Sequence, residues 1–252
     1  MFGRPRRRKG FSVVEVLIAA SLAVGLGAMV ATAIASSSAS SKNAITRAAA
    51  AQEVRQVNEI AARYVRGAVR TPKCSLPATG AQSFSSCLVP SDTGEMLLAA
   101  SASSITLLVY PQGANVSGGN APAPEKVTLK AEQAADGSVS LYVYADPPSG
   151  GSFYDASYPV IPTRLVRSVT LVPPKIAAVT GCTPPITAAT SVFSFLDDVG
   201  APVVAPANAS DRARVSVVKF DPQVRVVVQG EACPRIVSSP VFLTLPSRGF
   251  GR

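Results

Sequence analysis

Few side chains in this sequence have the types and spacing needed for chemistry, and those present exclude several kinds of site. The chain contains no histidine, which removes histidine-based catalytic triads and histidine metal ligands. Asp197 and Asp198 are adjacent carboxylates at the end of a predicted strand, where such a pair usually begins a turn rather than binding a metal. The sequence shows no nucleophile motif and no phosphate-binding loop. It therefore predicts a protein that is not an enzyme and that holds no cofactor or metal.

The cysteines offer a second kind of chemistry, and they are Cys74, Cys87, Cys182 and Cys233. None stands in a C-x-x-C pair, so a four-thiolate zinc site would lack its usual short spacings. An even number of cysteines in a chain that leaves the cytoplasm favours disulfides. Of the pairings available to them, we favour Cys74–Cys87, which closes a short loop, together with Cys182–Cys233. Four free buried thiols are the alternative.

The most unusual ionisable group is Glu15, because it lies at the start of an apolar run. No charged residue occurs from residue 16 to residue 41, and residues 16–34 are predominantly apolar. As a helix this core spans about 28 Å, enough to cross a bilayer. A carboxylate in such a segment is costly and implies a functional partner. A secretory signal peptide cleaved at an Ala-x-Ala such as residues 31–33, and a plain signal anchor, are the ordinary alternatives. Neither accounts for Glu15.

The positive charge is concentrated at the N-terminus. The formal net charge is +9, and five basic residues lie within the first ten positions: Arg4, Arg6, Arg7, Arg8 and Lys9. By the positive-inside rule, the N-terminus is expected in the cytoplasm and everything after residue 34 outside it. Contact with nucleic acid lacks support, because only one aromatic residue, Phe220, is interleaved with Arg212, Arg214 and Arg225.

The run Lys9-Gly10-Phe11-Ser12-Val13-Val14-Glu15-Val16-Leu17-Ile18 resembles the signal of type IV prepilins and type II secretion pseudopilins. That signal consists of a basic leader, Gly, Phe, Ser or Thr, two aliphatic residues and then Glu. The resemblance covers only the N-terminal segment. It implies cleavage between Gly10 and Phe11 by a prepilin peptidase, N-methylation of Phe11, and assembly through Glu15. Two unpaired charges in lipid would be costly, whereas a pair is tolerated, so Glu15 is expected to meet the Phe11 amine of a neighbouring subunit.

One long helix is predicted behind this signal. Proline is absent from residue 11 to residue 71, and Pro72 ends the helix. A helix over residues 11–70 would be roughly 90 Å long. Its second half carries an apolar stripe at helical spacing, formed by Val54, Val57, Ile60, Ala61, Tyr64, Val65 and Ala68. Its first half carries a face of small residues suited to close helix packing, namely Ser21, Gly25, Ala28, Thr32 and Ala35.

The remaining chain reads as short strands separated by Gly, Pro, Ser and Asp. Strands are predicted at residues 96–100, 104–110, 126–132, 139–144, 165–171, 192–196, 214–220, 223–228 and 236–245. Asp221-Pro222 reads as the turn of a hairpin. The predicted class is α+β, with a long N-terminal helix packed on a mostly antiparallel sheet. We expect a basic leader at 1–10, a transmembrane and assembly helix at 11–35, an amphipathic continuation at 36–71 and an extracytoplasmic β-rich domain at 72–252.

A second resemblance lies near the C-terminus. The aromatic run at residues 192–197, followed by Gly200 and the valine-rich stretch at 214–220, is similar to J-type minor pseudopilins. Together the resemblances imply a structural subunit, a minor pilin or pseudopilin, in a type IV pilus or type II secretion-like filament. The implied partners are a prepilin peptidase, other pilin or pseudopilin subunits, a membrane assembly platform and lipid. The alternative is a membrane-anchored binding module for adhesion, DNA uptake or contact with a secreted substrate.

Overall fold

The computed structural model describes residues 12–69, 96–110, 124–147, 158–173, 190–204, 206–228 and 231–246. Helices α1 (Val13–Arg66) and α2 (Ala209–Arg214) lie among these residues. The strands are β1 (Ala68–Val69), β2 (Leu97–Ala100), β3 (Ser104–Val109), β4 (Glu125–Gln133), β5 (Val139–Asp146), β6 (Leu165–Val172), β7 (Phe193–Leu196), β8 (Val217–Phe220), β9 (Gln223–Val226), β10 (Arg235–Ser238) and β11 (Val241–Thr244). The predicted α+β class is confirmed. The chain divides into two compact units between Thr46 and Arg47, so α1 contributes to both.

The second part of α1 supplies one wall of the hydrophobic core. Its buried apolar residues recur every three or four positions, and they are Ala50, Val54, Val57, Ile60, Ala61 and Val65. This spacing puts them on one face of the helix. Charged residues such as Arg55 and Glu59 lie on the exposed face. The predicted amphipathic stripe is therefore confirmed as the packing face from Val54 to Val65, with Tyr64 half-buried, whereas Ala68 is buried but belongs to β1.

The opposing wall is an antiparallel six-stranded sheet in the order β1-β3-β4-β5-β6, with β2 also paired to β3. On β5, Val139, Leu141 and Val143 are buried and alternate with half-exposed residues. That period of two directs one face of the sheet into the core. Two smaller antiparallel sheets, β10-β9 and β11-β8-β7, complete the described part of this unit.

Helix α1 ends earlier than predicted, since the sequence placed its end at residue 70 or 71. It ends at Arg66, and the next residues, Ala68–Val69, pair with β3. Gly67 makes this change possible, because a Cβ there would lie 3.1 Å from the Arg63 carbonyl oxygen and 3.2 Å from Val109 Cγ1. The chain therefore leaves the helix where a residue without a side chain permits close approach to β3.

The predicted hairpin at Asp221-Pro222 is wrong. Strand β8 is paired on both sides, by β7 and by β11, so no edge remains for β9. The chain changes sheets after Phe220, and β9 pairs with β10 instead.

Two other strand predictions need correction. The predicted strand at 236–245 is two strands, β10 and β11, in different sheets. Pro240 lies between them and has no N–H for a continuous ladder. The predicted strand at 214–220 begins only at Val217, because residues Ala209–Arg214 form α2. The side chain of Asn208 caps that helix by accepting a hydrogen bond from the Asp211 N–H at 2.8 Å.

Candidate functional site: the exposed apolar segment of helix α1

The helix that carries the candidate site begins at a serine. Ser12 stands just before α1, and its hydroxyl oxygen accepts a hydrogen bond from the Val14 N–H at 3.4 Å. The Ser12 carbonyl accepts from the Val16 N–H at 3.1 Å. Ser12 thus acts as the N-cap and leaves Glu15 in the first turn. A carboxylate there interacts favourably with the positive end of the helix dipole.

Of the residues predicted to act at the N-terminus, the structure describes one. Glu15 is exposed and forms no ion pair with any described residue. Gly10 and Phe11 lie outside the described residues. Cleavage between them, methylation of Phe11 and the pairing of its amine with Glu15 therefore stay predictions.

From Val13 onwards, α1 presents large apolar side chains that no part of the described fold covers. Eleven of them between residues 13 and 34 have exposed fractions from 56% to 76%. They are Val13, Val14, Val16, Leu17, Ile18, Leu22, Val24, Leu26, Met29, Val30 and Ile34. The helix is long and apolar enough to cross a membrane, and none of its most apolar stretch is buried within the structure. This segment, residues 13–35, is called the apolar segment below.

The few polar side chains in the apolar segment are satisfied inside the helix. The hydroxyls of Ser21 and Thr32 donate to the carbonyls of Ile18 and Met29, each at 2.9 Å. A hydroxyl bonded to its own helix adds little cost in lipid, where a polar group without a partner is expensive. Apart from Glu15, the segment therefore fits an apolar environment.

Glycines within the apolar segment have no role inside the described fold. A Cβ added at Gly25 or Gly27 would meet nothing within 4 Å. Glycine in a helix interior is less stable than alanine by about 1 kcal/mol. Gly25 also belongs to the predicted face of small residues, whose members are all exposed. The described fold therefore does not require glycine at either position.

Comparison with known proteins does not assign this chain to a family. No protein-family model, curated protein or solved structure matches it. Its function is therefore inferred from its own residues.

The adjacent carboxylates Asp197 and Asp198 are part of a turn. One oxygen of Asp197 accepts hydrogen bonds from the N–H groups of Val199 at 3.1 Å and Ala201 at 2.7 Å. Its other oxygen lies 3.7 Å from Arg214. Gly200 completes the turn with φ +83°, a conformation that favours glycine. The prediction that this pair begins a turn is confirmed.

Cysteine chemistry is described at one position. Cys233 takes part in a disulfide. Cys74, Cys87 and Cys182 lie outside the described residues, so the pairings Cys74–Cys87 and Cys182–Cys233 stay predictions. Beside Cys233, Glu231 forms ion pairs with Arg235 at 2.7 Å and with Arg47 of α1 at 3.8 Å.

The sequence did not lead us to predict the buried polar residues Asn58 and Asp146, although the position of Asn58 is informative. Asn58 lies on the buried face of α1, four residues after Val54 and three before Ala61. A polar residue at an apolar position of the repeat is what makes it informative. No local sequence pattern indicates the role of Asp146, because that role depends on residues that are distant in sequence.

The Asp146 side chain, at the end of β5, forms hydrogen bonds with residues 163 and 164. One carboxylate oxygen accepts hydrogen bonds from the Thr163 N–H at 3.0 Å, the Thr163 hydroxyl at 2.7 Å and the Arg164 N–H at 2.8 Å. Burial alone would raise the pKa of Asp146, but these hydrogen bonds and the nearby Lys126 ammonium lower it below the ordinary value. Five residues before Thr163, the Tyr158 hydroxyl donates a hydrogen bond to the Pro124 carbonyl at 2.7 Å. Burial raises the pKa of Tyr158 to about 12.

Proposed function

We propose that this protein is a structural subunit, a minor pilin or pseudopilin, of a type IV pilus or type II secretion-like filament. The observation that carries the proposal is the apolar segment, whose eleven large apolar side chains are exposed. The signal-like run at residues 9–18 supports it, since it places a single carboxylate at the start of that segment. Exposed apolar surface on this scale needs either lipid or other helices to cover it.

Glu15 gives the proposal its mechanism. Cleavage after Gly10 would create an ammonium group at Phe11, four residues before Glu15. Within a bundle of such helices, the Glu15 carboxylate of one subunit would pair with the amine of the next. An unpaired charge in that environment is strongly unfavourable, so the pair would select correctly placed neighbours. No reaction is catalysed by the subunit itself in this scheme.

The signal-peptide alternative predicts a different mature chain. Helix α1 is one helix from Val13 to Arg66, so cleavage near residues 31–33 would remove its N-terminal part with most of the apolar segment. An early cut at Gly10 leaves the helix whole.

The expected location is the cytoplasmic membrane, with the N-terminus inside and the β-rich domain outside. The basic cluster at residues 4–9 supports this orientation. After assembly the protein would lie in a filament or at the cell surface. A prepilin peptidase, other subunits, a membrane assembly platform and lipid are the partners that this life cycle needs.

The proposal is tested by fractionating cells that express the full chain into soluble, membrane and sheared-filament fractions. We expect the protein in membranes and filaments. Leu22→Lys should remove it from both, because a lysine at the centre of the apolar segment opposes insertion. Ile45→Lys is the matched control, since Ile45 is equally exposed but lies beyond the segment. Protein found in membranes but never with filament subunits would support the anchored binding module instead. Soluble wild-type protein would contradict both.

A further inference from the structure

The part of α1 between its apolar segment and its packed residues is poorly suited to remain helical. Residues 36–41 contain five serines and one alanine, and Lys42 and Asn43 follow. Serine and asparagine rank low among helix-forming residues, because their side chains hydrogen-bond to nearby backbone in non-helical conformations. No other stretch of α1 concentrates such residues.

Packing does not compensate for this composition. Every residue from 36 to 46 is exposed or half-exposed, and the first buried residue of α1 is Ala50. In most proteins, helical stability comes from packing an amphipathic face rather than from propensity. Residues 36–46 have no such face. Their hydroxyls and Lys42 also make them a poor match for lipid.

Side-chain hydrogen bonds add to the weakness of this stretch. The Ser36 hydroxyl donates to the Ala33 carbonyl at 3.0 Å, and the Thr46 hydroxyl donates to the Lys42 carbonyl at 2.9 Å. Bonds of this kind compete for carbonyls that accept the helix hydrogen bonds, and they often bend helices.

We propose that residues 36–46 are a local unfolding unit, which opens to non-helical backbone while the helix on either side of it persists. Opening exposes no core residue, because the packed part begins at Ala50. Its cost is therefore limited to a few solvent-exposed helix hydrogen bonds. This inference follows from composition and packing and does not depend on the proposed function.

An unfolding unit at this place would give the chain slack. Helical backbone rises about 1.5 Å per residue and extended backbone about 3.3 Å, so opening lengthens the connection. A subunit that exchanges lipid for neighbouring helices around its apolar segment would use that slack during the exchange. This use, unlike the unfolding itself, rests on the proposed function.

Hydrogen exchange on the full chain in detergent micelles tests the unfolding unit without any filament. Amides 40–46 bond to carbonyls 36–42 in a helix. We expect them to exchange at least about tenfold faster than the amides of residues 54–65, which belong to the packed part. Uniform protection from residue 40 to residue 65 would overturn the proposal.

Paired variants separate composition from packing. Ser40→Ala with Ser41→Ala should slow exchange of amides 40–46 by roughly fivefold, because alanine is the better helix former. The matched control is Gln52→Ser with Gln56→Ser, which places two serines on the exposed face of the packed part. There we expect a change of less than about twofold, since core packing holds the helix. No slowing in the alanine variant, or an equal effect in the control, would contradict the proposal.

Trypsin provides an independent measurement on the same sample. Lys42 lies inside the proposed unit, whereas Arg55 is an exposed site in the packed part of the same helix. Because trypsin needs unfolded backbone around its site, we expect cleavage after Lys42 to be at least about tenfold faster than after Arg55. Equal rates at the two sites, or faster cleavage at Arg55, would overturn the inference.

Discussion

The side-chain amide of Asn58 donates a hydrogen bond to the backbone carbonyl of Ser239 across 2.8 Å. Asn58 is buried in the packed part of α1, and Ser239 lies between β10 and β11. The bond joins the helix to the point where the chain passes from one small sheet to the other. It therefore fixes how the C-terminal strands meet the rest of the core.

Asn58→Ala should lower the free energy of unfolding by about 1 kcal/mol, because it removes the hydrogen bond to the carbonyl of Ser239, which is an exposed residue. Equilibrium denaturation of the full chain in detergent would measure the change. Glu59→Ala is the control, since Glu59 lies on the exposed face of the same helix, and its effect should stay within about 0.5 kcal/mol. Equal effects of the two substitutions would show that the hydrogen bond of Asn58 does not contribute to the free energy of unfolding.

Asp146 should make stability depend on pH in the acid range. Its folded pKa is lowered, so its contribution is fully present above the unfolded carboxyl pKa of about 3.9 and is lost as pH falls through the lower folded value. Asp146→Asn should therefore be less stable than wild type by about 1–3 kcal/mol at pH 7. The difference should shrink as pH falls below about 3.9 and through the lowered folded pKa, where the wild-type carboxyl also becomes protonated.

Denaturation midpoints of wild type and Asp146→Asn, measured from neutral to acid pH, would check this dependence. Thr163→Val removes one of the three hydrogen bonds to the carboxylate and should reproduce part of the same loss. A difference between wild type and Asp146→Asn that stays constant over the whole pH range would contradict the role of the charge.

Phe220 on β8 and Phe193 on β7 pack against each other in the core. Their ring centroids lie 5.1 Å apart, and Phe220 is fully buried. Phe220→Ala should lower the free energy of unfolding by about 3–5 kcal/mol through the cavity that it leaves. Phe220→Leu should cost less because it keeps most of the volume.

The exposed Phe242 on neighbouring β11 offers a matched control, since 59% of its surface is accessible. Phe242→Ala should change the free energy of unfolding by only about 0.5 kcal/mol. A loss at Phe242 as large as that at Phe220 would mean that Phe242 is covered in the folded protein. Thermal or chemical denaturation of the three variants would decide this.

Local periodicity predicted much of this fold from the sequence. The stripe from Val54 to Val65 and the alternation along β5 each follow from the geometry of one element. These patterns placed the long helix and most strands of the larger sheet close to their observed bounds.

Predictions failed where the structure depends on distant contacts. The end of α1 is decided by Gly67 approaching Val109 of β3. The switch of sheets after Phe220 depends on β11, which already occupies the free edge of β8. Neither relationship has a local signature, because both join residues far apart in the chain. At the N-terminus, Glu15 is recognisable from the sequence because it is a charged residue in an apolar run. Its expected partner, the amine of Phe11, lies outside the described residues.

Glu15→Ala should leave cleavage after Gly10 intact and lower incorporation into filaments by at least about tenfold, because the amine of the neighbouring subunit would lose its counter-charge. Glu59→Ala, which removes an exposed carboxylate from the packed part of α1, should assemble normally. Immunoblots of sheared filaments against total membranes would compare the variants. Assembly of Glu15→Ala at the wild-type level would refute the pairing role.

The central claim is that this chain enters a filament-assembly pathway through its N-terminal signal. The most direct measurement is the intact mass and N-terminal sequence of the protein from cells with and without a prepilin peptidase. We predict a mature chain that begins at Phe11, carries one added methyl group and appears only when the peptidase is present. A chain that begins near Ser36, or one that keeps Met1 in both strains, would contradict the claim and leave Glu15 without its proposed partner.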